Sequence, residues 1–185
     1  MVNELTKRVL SSIILVPIAL FFIIKGSFLF NFFIFICFLI AAYEWHVMTK
    51  KKKYSIFGYL FLIISFYSIY KLRADLPGEH AWLLAITIVC VATDIGGYIF
   101  GKIFKGPKLT KFSPNKTYTG MIGGYFLSII CISFFLQNPY FTGGVELKRQ
   151  IFIFVLLIST VSQIGDIIIS YFKRLSKLKD TGKII

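Results

Sequence analysis

Six apolar runs, each close to the length that crosses a bilayer, follow one another along the chain with short polar breaks between them: Val9–Ile24, Phe28–Tyr43, Tyr54–Tyr70, Ala81–Phe100, Tyr118–Leu136 and Gln150–Phe172. A membrane-spanning helix needs roughly 20 such residues. The pattern predicts an all-α integral membrane protein with about six transmembrane helices. Little sequence remains for a water-soluble domain, so residues 1–185 read as one polytopic membrane domain. The first run follows Lys7 and Arg8 in the manner of a signal peptide. It passes into Lys25-Gly26-Ser27 with no small-residue cleavage site and a second run follows at once, which predicts a helical hairpin that is retained.

Composition agrees: 57% of residues are hydrophobic and 16% charged, with a mean hydropathy of +0.78. Soluble domains have about 45–50% and about 25%. A net charge of +13 would suggest nucleic acid in a soluble protein, but in a membrane protein it is the loops that matter. With the N-terminus in the cytoplasm, 16 of the 21 basic residues fall in cytoplasmic segments, leaving Lys25, Lys71, Arg73, Lys148 and Arg149 outside. This positive-inside asymmetry predicts a cytoplasmic location for both termini and no nucleic-acid partner.

Cys37, Cys90 and Cys131 lie within apolar runs in no CxxC or Cys/His pattern, so they read as packing residues. His46 and His80 have no second histidine at ligand spacing, and no Ser/His/Asp set is present, which argues against zinc and hydrolase chemistry. Lys50 to Lys53 read as a topogenic run near anionic head groups. The outer loops carry ordinary turn residues, Pro77-Gly78 in one and Asn138-Pro139 with Gly143-Gly144 in the other. One cytoplasmic loop stands apart. GKIFKGPKLTKFSPNKT, Gly101 to Thr117, holds five lysines, two prolines and two glycines. Connections of that length are usually functional or disordered.

Three acids fall inside the runs or directly at their edge: Glu44, Asp94 and Asp166. A carboxylate at the centre of a membrane helix costs about 2.5–3.5 kcal/mol and normally faces a bundle interior or a water-filled cavity. Asp94 stands six residues before Phe100 and Asp166 six before Phe172. Both therefore lie about 9 Å below the cytoplasmic ends of their spans. Neither span has a Lys, Arg or His to pair them, so they repel unless a cation lies between them or one is protonated. Oxygen ligands without His or Cys favour a hard cation such as Mg²⁺ on Asp94 and Asp166; two separately satisfied acids are the alternative.

Asp166, Ser170, Lys173 and Arg174 stand at i, i+4, i+7 and i+8, placing an acid, a hydroxyl and two cations on one helical face. Such a face suits a phosphate-bearing substrate at the interface, although a snorkelling Lys/Arg pair is the plainer account of its cations. Lys105, Lys108, Lys111 and Lys116, with Ser113, Thr117 and the glycines 120, 123 and 124, could bring cations and backbone to a polyphosphate without forming a GxxxxGK[ST] loop. Gly96, Gly97, Gly101 and those same glycines serve equally well for close helix packing.

These residues fall in three ordered blocks that resemble the phosphatidate cytidylyltransferase, or CDP-diacylglycerol synthase, family. DIGGYIFGKIFKG (Asp94–Gly106) is similar to the family's Asp-Thr-Gly-Ala-Tyr-type stretch, and SPNKTYTGMIGG (Ser113–Gly124) to its Ser-Pro-x-Lys-Thr stretch. GDIIISYFKRLSKLKDTGKII (Gly165–Ile185) looks like the first half of its C-terminal signature, with Ser170, Lys173, Arg174, Lys179, Asp180 and Gly182 at matching places. The motifs cover Asp94 onward and the earlier spans match by hydropathy alone.

The resemblance implies a multi-pass transferase of phospholipid biosynthesis in the cytoplasmic membrane, with its active face cytoplasmic, that joins CTP and phosphatidate to give CDP-diacylglycerol and pyrophosphate. It implies catalytic roles for Asp94, Asp166, Asp180, Lys173 and Arg174, substrate binding by Ser113, Lys116, Thr117, Ser170 and Lys179, and Mg²⁺ on Asp94 and Asp166. It places the protein against membrane lipid and allows a homodimer. Two departures stand out. Thr119 replaces a common glutamate, and the signature normally continues with Pro-Gly-His-Gly-Gly and a later Asp-Arg-x-Asp, whereas this chain ends at Ile185. The expectation is a member truncated within its C-terminal signature, lacking at least one acidic cluster and the last spans. Competing readings are a small transporter whose pathway is lined by Asp94 and Asp166, which leaves the lysine loop unexplained, and a CTP-dependent lipid kinase.

Overall fold

A computed structural model of the protein describes residues 4–50, 52, 54–75, 80–110, 113, 115–137 and 149–176. Its helices are α1 (Glu4–Lys25), α2 (Ser27–Thr49), α3 (Ser55–Asp75), α4 (His80–Phe104), α5 (Tyr118–Gln137) and α6 (Arg149–Leu175). Every predicted span lies within one of them, except that Tyr54 precedes α3 by a residue. Among the described residues, five stretches are long and apolar enough to cross a membrane: Phe28–Thr49, Ser55–Arg73, Ala81–Phe104, Tyr118–Gln137 and Gln150–Leu175. Helix α1 adds the shorter Ile14–Lys25. The chain is a multi-pass membrane protein.

Helix α2 outruns its apolar segment because hydrogen bonds hold its polar end. Helix α2 continues past Tyr43 to Thr49, where the Trp45 indole N–H donates to the Ser55 carbonyl at 2.9 Å and the Thr49 hydroxyl donates to the Trp45 carbonyl at 2.7 Å. The Trp45 ring lies on Gly58, where any side chain would collide with it. At the opposite end of this α1–α3 unit, α1 and α2 are joined through Gly26 alone, in the left-handed region at φ 64°. Arg73 of α3 reaches that junction, its Nε donating to the Ile23 carbonyl at 3.3 Å.

The second unit runs from Leu84 to Lys177 and contains α4 from Leu84 onward together with α5 and α6. In lipid, apolar surface alone gives one helix little reason to prefer another, so close fit and interhelical hydrogen bonds decide the packing. Helices α4 and α5 meet through glycines. A Cβ on Gly96 would lie 2.5 Å from the Gly123 carbonyl oxygen, and one on Gly120 2.5 Å from that of Gly97. Hydroxyls tie α6 to both. Buried Thr93 and Ser159 place their oxygens 2.8 Å apart, and Tyr125 and Thr160 do the same at 2.8 Å. Toward the start of α4 the three helices close on an apolar core of Ala85, Val89, Ile132, Leu136 and Val155.

Candidate active site

The described residues of the lysine loop form a hydrogen-bonded turn. Lys105 adopts φ 44° just after α4, and its N–H still donates to the Gly101 carbonyl at 3.2 Å. Lys108 and Thr117 then pair as an antiparallel bridge, with the Leu109 N–H donating to the Lys116 carbonyl at 2.8 Å. At the tip, the Lys116 N–H donates to the Ser113 carbonyl at 3.1 Å, and the Ser113 N–H donates to the Thr110 hydroxyl at 3.2 Å.

Two threonines fasten this turn to α5. Thr117 caps the helix, its hydroxyl accepting from the Gly120 N–H at 3.1 Å. The Thr119 hydroxyl accepts from the Gly106 N–H at 3.2 Å, and its side chain fills the space a Cβ at Gly106 would occupy. Thr117→Ala removes the cap and is expected to destabilise the protein by about 1 kcal/mol, measured as a lower thermal unfolding temperature in detergent.

Loop and helices surround a cleft of about 270 Å³. Helix α4 lends it Thr93, Asp94, Gly97 and Tyr98; α6 lends Gln163 and Asp166; Gly120 and Met121 come from α5. The loop supplies Leu109, Ser113, Asn115, Lys116 and Thr117. The spacing explains the convergence. Ser159, Gln163 and Asp166 follow one another at i, i+4 and i+7 on the face of α6 that meets Thr93, while Asp94 and Tyr98 are one turn apart on α4.

Charge is concentrated at one point. The Lys116 ammonium donates to Asp166 Oδ2 at 2.6 Å, and Asp94 lies within electrostatic reach of both. The cation missing from the two spans is thus delivered by the loop, 50 residues from its partner. Among the predicted site residues, Asp94, Ser113, Lys116, Thr117 and Asp166 line this cleft. Ser170, Lys173 and Arg174 lie farther along α6 and do not line it. Lys179 and Asp180 fall outside the described residues. Glu44, the remaining acid within a span, belongs to the α1–α3 unit.

The sequence model of the cytidylyltransferase family matches residues 6–79 and 59–185. The chain belongs to the cytidylyltransferase family. The phosphatidate cytidylyltransferase of Rickettsia bellii (strain RML369-C) is 32% identical over 196 residues, covering 99% of this chain and 81% of the relative. That of Rickettsia felis is 30% identical over 188 residues, covering 96% and 80%. The enzyme of that name from Staphylococcus aureus (strain COL) is 34% identical over 151 residues, covering 76% and 55%. No solved structure matches the chain significantly.

Within this cytidylyltransferase, Gln163 and Tyr98 are cleft residues that the sequence reading passed over. A signal existed for each. Gln163 is a polar residue three positions before Asp166 in an apolar run, and Tyr98 stands four after Asp94. Gln163 Nε2 approaches the Met121 carbonyl at 3.5 Å and the Ser159 hydroxyl at 3.4 Å, joining α6 to α5 beside the cleft. Asn115 escaped notice because one amide in a lysine-rich loop carries no periodic signal.

Proposed function

We propose that this cytidylyltransferase transfers CMP from CTP to phosphatidate, giving CDP-diacylglycerol and pyrophosphate at the cytoplasmic face of the cell membrane. The observation that carries the reading is the meeting of Asp94, Asp166 and Lys116 in one cleft, at the loop-bearing ends of membrane-crossing helices. A soluble nucleotide and the headgroup of a lipid can both reach such a place. The names of the relatives and the cytoplasmic bias of the basic residues support the same assignment.

In the reaction an anionic phosphatidate oxygen forms a bond to the α-phosphorus of CTP while the bond to the β-phosphate oxygen breaks, and the electron pair leaves with pyrophosphate. The nucleophile is already deprotonated, so positioning and charge stabilisation are the main tasks. The donor set fits a hard cation: two carboxylates in one cleft, with water and phosphate oxygens for the remaining positions. Mg²⁺ held by Asp94 and Asp166 would neutralise charge on the CTP phosphates. Lys116 binds phosphate, Ser113 donates a hydrogen bond, and Thr117 keeps the loop seated on α5. Ser170, Lys173 and Arg174, one to two turns beyond Asp166, receive the lipid phosphate; Lys179 and Asp180 complete the set.

The test is a product analysis on the purified full chain with CTP, phosphatidate and Mg²⁺. The expected products are pyrophosphate and a CMP-bearing lipid, both lost on chelation. Release of CDP with a newly phosphorylated lipid would identify a kinase, and ion flux in proteoliposomes without nucleotide would identify a transporter. Either result overturns the proposal.

A further inference from the structure

The backbone of Lys116 is fixed on both sides. Its N–H donates to the Ser113 carbonyl, its carbonyl accepts from the Leu109 N–H, and the next residue pairs with Lys108 and caps α5. The turn therefore sets where the side chain starts, and a flexible four-carbon stem sets where its charge ends. That charge ends on Asp166 Oδ2, beside Asp94.

A divalent cation that takes Asp94 and Asp166 together competes with this ammonium for the Asp166 carboxylate and keeps it as a like-charged neighbour. A polyphosphate entering alone meets two carboxylates and a cation already paired with one of them. When both ligands arrive, the partners exchange: the divalent ion takes the carboxylates and the ammonium turns to phosphate. Each ligand removes the obstacle to the other, and the backbone of the turn need not move.

We propose that Lys116 is an internal counter-cation, holding Asp166 in the empty protein and coupling the binding of a divalent cation to that of a nucleoside triphosphate. The inference rests on the cytidylyltransferase reading for the identity of the anion. Coupling between sites typically amounts to 5–150-fold in affinity. Side-chain exposures of 29% for Lys116 and 51% for Asp166 weaken the pair and put the effect near the lower end, at about tenfold.

The experiment measures Mn²⁺ binding to the full chain in detergent, from the loss of the free-ion resonance signal, with neither nucleotide nor lipid present. Lys116→Met and Lys116→Gln are expected to tighten Mn²⁺ binding about tenfold, and Lys116→Arg to leave it unchanged. Adding CTP should tighten Mn²⁺ binding in the wild type by about ten times more than in Lys116→Met. Asp166→Asn in the Lys116→Met background should abolish the gain. Unchanged or weaker Mn²⁺ binding in both neutral variants overturns the proposal, as does an equal CTP effect with and without the lysine charge. These readouts need no turnover. A chain that makes CDP-diacylglycerol without the coupling keeps its function and loses the counter-cation; coupling without CMP transfer does the reverse.

Discussion

Asp166→Asn is expected to abolish Mg²⁺-dependent CMP transfer, lowering turnover by about a thousandfold or more while the protein still accumulates in the membrane. The substitution keeps the volume of the side chain and deletes its charge. Asp166 is half exposed in the cleft, at 51%, so no packed core depends on it. Losing a carboxylate from the proposed cation site removes part of a charge stabilisation worth several kcal/mol, and each 1.36 kcal/mol of barrier is a factor of ten in rate. Radiolabelled CMP incorporation into lipid measures the loss, and raising Mg²⁺ is not expected to restore it. Turnover near the wild-type value would remove Asp166 from the reaction.

Gly96→Val is expected to inactivate the protein through packing alone. Gly96 does not line the cleft. A Cβ there would lie 2.5 Å from the Gly123 carbonyl oxygen and 3.0 Å from the Gly124 Cα, both backbone atoms that cannot rotate aside. Overpacking of this kind costs about 1–3 kcal/mol and forces helices apart. Helix α4 carries Asp94 two residues earlier, and misplacement by 1 Å can cost about a hundredfold in rate. A lower unfolding temperature together with lost activity is the expected result. Gly165→Ala is the control. No atom lies within 4 Å of a Cβ there, so the substitution should leave stability unchanged or raise it by up to about 1 kcal/mol. Equal tolerance at both positions would disprove the close contact of α4 with α5.

Different physics governs what could be read in advance. The spans were legible because transfer into lipid is summed over some 20 residues, and no single residue has to be right. Their polar ends were not, since the last turn of α2 depends on hydrogen bonds of Trp45 and Thr49 rather than on hydropathy. The two carboxylates of the cleft were legible from their equal depth. Lys116 as the partner of Asp166 was not, because a loop lysine has no periodicity and its reach is set by the turn between Lys108 and Thr117, whose backbone hydrogen bonds do not involve α6. The glycines fell between these cases. Their spacing fitted helix packing and phosphate approach alike, and the geometry assigns Gly96 and Gly123 to packing while Gly97 and Gly120 both pack and line the cleft. Thr119, a departure from the resembling motif, has a local task as the acceptor for Gly106.

The hydroxyl contact between Thr93 and Ser159 has a consequence for alignment. Apolar helices in lipid can slide and turn past one another with little penalty, because one leucine resembles the next. Two buried oxygens 2.8 Å apart are not interchangeable with their neighbours. Sliding α6 by one residue would turn it by about 100° relative to that contact and swing Asp166 away from Asp94. A pair of uncharged residues thus serves as the registration mark by which two acids on separate helices come to face the same cleft.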